Sequence, residues 1–141
     1  MAAIKIETGF KTYDIEDTNG KVLGQIEVNT SDINFFSRAK ETQKYIEDII
    51  SDIDESKELT EDEIVGKITE YDNIIKEKVD ELFNSNVSDT VFGNQNVFNT
   101  HNGVTFVERF FKSIVPVIAK DIKTELEKSQ KNVEKYTKMV K

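Results

Sequence analysis

Over the first 28 residues apolar side chains tend to alternate with polar ones, and from about residue 32 they recur every three or four positions. The first period suits a strand with one covered face and the second suits a helix. The chain therefore reads as α+β: a small N-terminal antiparallel β-hairpin or three-stranded sheet at 1–28, followed by a predominantly helical region. In KTYDIEDTNGKVLGQIEV, residues 11–28, the Asn19-Gly20 step predicts a two-residue type I′ turn. Pairing outward from that turn sets Tyr13 opposite Ile26 and Ile15 opposite Gly24, with Val22 and Val28 on the same side. Ile4, Ile6 and Phe10 alternate with polar neighbours and predict a third strand, because a bare hairpin is marginal in water. One face of this sheet is expected to lie under a helix.

The segment NTSD at 29–32 offers N-caps, and Phe36, Ala39, Ile46, Ile49, Ile50 and Ile53 predict a first helix over 32–54. Thr60 and Glu63 stand in capping-box register ahead of the stripe Ile64, Ile68, Tyr71, Ile75, Val79 and Leu82, which predicts a second helix over 61–84. Their short polar link, DESKELT, favours an antiparallel helical hairpin. Residues 85–103 are dominated by Asn, Ser, Thr, Asp and Gly and predict an irregular loop. Phe92 and Phe98 are expected to pin that loop to the core, with contact to a partner as the alternative. From Val104 a long C-terminal helix is predicted over 104–141, bent at Pro116. Phe111, Val115, Ile118, Ile122, Leu126, Ser129, Val133, Tyr136 and Val140 are spaced by threes and fours, which approximates a heptad seam. Past Ile122 the flanks are almost all Lys, Glu, Gln and Asn. This end is too polar for a core, so it is expected to project, to pair with another helix, or to fray without one.

At 141 residues the chain has the length of a single domain, and 37% hydrophobic residues are enough for a modest core. Its net charge of −8 conceals an asymmetry: residues 41–82 carry fifteen acids and five lysines, whereas 112–141 carry eight lysines and four acids. The acidic middle opposes nucleic acid, so no nucleic-acid partner is expected. Both blocks read most simply as solvated helix faces; a sharper reading lets them dock within the chain or between copies. The absence of Cys and the single His101 leave no disulfide framework, thiolate nucleophile or multi-histidine metal site. The acid pairs Asp52 and Asp54, or Asp62 and Glu63, are what chance gives a chain with 27 acids. EF-hand, GxGxxG, P-loop and GxSxG patterns are missing, so the chain is not expected to be an enzyme or to hold a cofactor or metal. No apolar run suits a membrane helix and MAAIKIETGF lacks a signal peptide's apolar stretch, so a cytosolic protein without a membrane partner is expected.

Two stretches carry a resemblance. They are GKVLGQIEVNTSDINFFSRAKE, a hairpin strand running into a helix, and DTVFGNQNVFNTHNGVTFVERFFKSIVPVI, with a VFG turn, an Asn-Gly step and paired phenylalanines. Together they resemble the small tail assembly chaperones of long-tailed bacteriophages and prophages of Gram-positive bacteria, over nearly the whole chain. The resemblance implies a protein of the bacterial host cytoplasm, absent from the mature virion. Such a protein would bind the phage tape measure protein, keep its hydrophobic helices soluble and help recruit tail tube protein. Partner contacts would then come from Phe92, Phe98, Phe106 and Phe110 near the loop and from Ile122, Leu126, Val133 and Tyr136 on the seam, which would also pair copies into a homo-oligomer. A structural tail or head-completion component and a regulatory helical binding module are the alternatives.

Overall fold

Strands β1 (Phe10–Glu16) and β2 (Val22–Asn29) form the antiparallel hairpin, in a computed structural model that describes residues 1–55 and 58–140, with side chains through residue 131. Tyr13 pairs with Ile26 and Ile15 with Gly24, as the pattern predicts. The turn itself differs from the expectation. Neither Thr18 nor Asn19 has a positive φ, whereas Gly20 has φ +82°, and the Gly20 N–H donates to the Asp17 carbonyl at 3.0 Å. This is the pattern of a type I turn followed by a glycine bulge, and it shifts the register after Ile15 so that Glu16 pairs with Val22. The Asp17 carboxylate selects it by accepting the backbone N–H groups of Asn19 at 2.8 Å and Lys21 at 3.0 Å.

The third strand expected at the amino terminus does not form. Residues 1–9 pair with no described strand, and Ile4 and Ile6 are 90% and 77% exposed. Gly9, at φ +82°, turns the chain just before β1, and its carbonyl accepts the Thr30 N–H at 3.2 Å. Val22, expected on the face of Ile26 and Val28, is instead exposed, because the register shift pairs it with Glu16 on the opposite face.

Helices α1 (Phe35–Glu55) and α2 (Glu61–Phe83) form the antiparallel hairpin. The first starts three residues later than predicted, because Asp32 spans a turn in which its carbonyl accepts from Phe35 N–H and its carboxylate from Asn34 N–H. Thr60 caps α2 by accepting the Glu63 N–H, while Asn84 ends it in the left-handed conformation at φ 51°. Phe35 meets Phe83 at one end, with ring centroids 5.5 Å apart, and Asp52 meets Lys67 and Tyr71 toward the other. The connecting DESKELT includes Ser56 and Lys57, which lie outside the described residues.

Within the stretch expected to be irregular lie a short helix α3 (Ser88–Val91) and two-residue strands β3 (Thr100–His101) and β4 (Val104–Thr105). Here Asn102 and Gly103 both have positive φ, 54° and 77°, and form the two-residue turn expected at Asn19-Gly20. Helix α4 (Phe106–Val140) follows and continues through Pro116. Thr105 caps it by accepting the Glu108 N–H at 3.3 Å and donating to the Glu108 carboxylate at 2.7 Å. Ile118 and Ile122 on α4 are buried at 0% and 2% exposure, and the Asp121 carboxylate between them accepts from Lys11 and Tyr13 of β1. Asp121 thereby fastens α4 to β1, while α3 and α2 are the helices that pack against β2.

Candidate binding surfaces

An aromatic chain occupies the centre of the molecule. Phe106, Phe92, Phe110, Phe83 and Phe35 follow one another with ring centroids 4.9 to 5.8 Å apart, at the tilted and edge-to-face angles that aromatic pairs prefer. Phe92 and Phe110 are 1% and 7% exposed, so neither has a face to offer a partner. Phe98 and Phe106 are half-buried against the same cluster, and the Arg109 guanidinium sits 5.0 Å from the Phe106 ring centroid. Ile122 is likewise covered within the chain. Of the seam residues with described side chains beyond it, Leu126 is 45% exposed; the side chains of Val133, Tyr136 and Val140 lie outside the described residues.

Two carboxylates hold the polar loop onto α2, and their roles were not anticipated from the sequence. Asp80 accepts the N–H groups of Val87 and Ser88 at 2.8 and 2.7 Å and the Ser88 hydroxyl at 2.8 Å. Asp72 accepts the Val97 N–H at 2.7 Å and pairs with Lys76 at 3.0 Å. Val87 and Val97 are fully buried as a result. On the α1 side, Arg38 bridges Asp32 at 2.7 Å and donates to the Leu82 carbonyl at 3.1 Å, placing a cation at the C-terminal end of α2 where the helix dipole favours it.

Besides the amino-terminal segment and the hairpin, where Ile4, Ile6, Phe10, Val22 and Leu23 are exposed, apolar surface is accessible on the helices. Along α2, Ile75, Val79 and Leu82 are at most 3% exposed, whereas Tyr71, Ile68 and Ile64 are half-buried and Val65 is 62% exposed. Ile50 and Ile53 on α1 are also half-buried and pack against the core. Along α4, every residue from Lys123 to Lys131 is exposed. The α1–α2 tip is acidic: Asp54, Glu55, Glu58, Glu61, Asp62 and Glu63 are all exposed. Asp52 differs from these, because its hydrogen bonds to Lys67 at 2.9 Å and Tyr71 at 2.7 Å hold its carboxyl below the usual range. Asp121 is lowered in the same way, first by Tyr13 and then by Lys11, while burial and that carboxylate push the Tyr13 hydroxyl up.

A cleft of about 60 Å³ beside Phe10, Phe35, Arg38 and Asn84 has room for little more than water, against roughly 300 Å³ or more in ligand pockets. His101 is exposed beside the Asn102-Gly103 turn. Among the described residues no group of three His, Cys, Asp or Glu is placed to hold a metal ion, and no helix is long and apolar enough to cross a membrane. Comparison with known proteins returned no matching family model, curated protein or solved structure.

Proposed function

We propose that this chain is a tail assembly chaperone, which binds the tape measure protein of a long-tailed phage in the host cytoplasm and helps bring tail tube subunits to it. The observation that carries this reading is the pair of helices whose apolar stripes outrun the core, α2 at Ile64, Val65 and Ile68 and α4 at Leu126. A long hydrophobic helix held soluble needs a helical face to lie on, and a strongly charged carrier keeps the complex in solution. Uncovered stripes on a chain of net charge −8 meet both needs.

The test is coexpression of the chain with the tape measure protein and, separately, mass spectrometry of purified virions. Copurification that is lost on Leu126→Glu, together with absence from virions, is the expected result. Stoichiometric retention in the virion would instead make this a structural tail or head-completion component.

A further inference from the structure

The two helical surfaces that outrun the core carry opposite charge. The α1–α2 tip lies in the block 41–82, with net charge −10, whereas on the exposed stretch of α4 Lys123, Lys128 and Lys131 outnumber Glu125 and Glu127. Neither surface is fully covered within the chain, since Val65 is 62% exposed beside the half-buried Ile64 and Ile68, and every residue from Lys123 to Lys131 is exposed. We propose that they cover each other between two copies: the free end of α4 in each chain lies along the α1–α2 groove of the other.

Length, charge and symmetry support this pairing. The stretch of α2 left open, from Glu61 to Tyr71, rises about 16 Å, and α4 beyond Ile122 continues for about 27 Å, so one helix end spans the groove. Leu126 meets the apolar stripe of α2 at Ile64, Val65 and Ile68. Lys123 and Lys131 come to rest among the tip carboxylates, while Lys128 pairs with Glu125 of its own helix at 3.6 Å. Because each copy supplies one groove and one helix end, a reciprocal pair uses both surfaces of both chains and closes, whereas a one-way contact would leave one surface open at each end and grow.

The inference concerns the chain without its client, and its test uses none, so it stands or falls separately from the chaperone reading. Sedimentation equilibrium of the full chain should give a dimer whose dissociation constant rises with salt. Val65→Asp and Leu126→Asp, both at exposed positions, should each weaken it by at least about tenfold with an unchanged helical circular dichroism signal. Mixing the two variants restores one intact groove-and-helix contact, so the mixture should associate more tightly than either variant alone. If either variant loses its helical signal, reversing Lys123 and Lys131 to Glu provides the same comparison. A monomeric wild-type chain, a dimer indifferent to these changes, or a mass that climbs without limit with concentration would overturn the proposal.

Discussion

Tyr13 of β1 donates its hydroxyl to the carboxylate of Asp121 on α4, joining residues 108 positions apart. Lys11 reaches the same oxygen at 3.0 Å, so one acid fastens the long helix to the strand. Removing the hydroxyl with Tyr13→Phe leaves the Lys11 contact in place. The loss should be about 1.5 kcal/mol, the low end for a hydrogen bond to a charged group, read from urea unfolding.

Acid should loosen the same joint. The folded Asp121 carboxyl titrates below the roughly 3.9 of a free Asp, so the stability it contributes is full above that value and is lost as the pH falls through its folded pKa. Asp52, lowered chiefly by Lys67, adds a change of the same sign at the α1–α2 contact. Below about pH 4 the urea midpoint of the wild type should therefore drop more steeply than that of Asp121→Asn.

Asp80→Ala would strip the acceptor from two backbone N–H groups and one hydroxyl at the start of α3. A cost of about 2 to 3 kcal/mol is expected, because the donors lie against a buried valine and a buried serine. Hydrogen exchange at Val87 and Ser88 should accelerate well beyond that of α1 amides. Asp80→Asn, which keeps a carbonyl oxygen, should recover much of the protection.

The sequence was most legible where one residue type settles a local choice. Thr60 and Glu63 announce the start of α2, and the alternation through Tyr13, Ile15, Ile26 and Val28 sets the hairpin pairing. The two-residue turn expected at Asn19-Gly20 formed instead at Asn102-Gly103, in the stretch expected to be irregular, because the contexts of the two steps differ. Asp17 ahead of Thr18-Asn19-Gly20 supplies the acceptor of a type I turn with glycine at its last position, a signal that was present and outweighed by the dipeptide. Thr105 and Glu108 repeat the spacing of Thr60 and Glu63 and would have marked the first turn of α4 in the same way. The attachments of Asp72 to Val97 and Asp80 to Val87 were not legible, because an acid on a helix looks solvated until the chain that returns to it is placed. The exposure of Ile4 and Ile6 also escaped the pattern, since alternation shows what a strand would need but not whether a neighbour is there to pair with it.

Phe92 offers the sharpest contrast between the loop and the helix ends. Its ring is enclosed by Phe106 and Phe110, so Phe92→Ala should cost about 3 to 5 kcal/mol and lower the thermal midpoint accordingly. Val65→Ser, on the exposed tip, should change the stability of the isolated chain by less than about 0.5 kcal/mol.

The joint at Asp121 also sets the order in which the molecule can be completed as it leaves the ribosome. The β-hairpin and the α1–α2 pair are built from neighbouring segments and can close as soon as they emerge. The core and the Tyr13 joint, by contrast, wait for Ile118, Asp121 and Ile122, more than 100 residues after β1 begins. Until those residues clear the exit tunnel, the core lacks two of its buried side chains and Tyr13 lacks its acceptor. A chain stopped short of Ile118 should therefore remain aggregation-prone however well its first helices form.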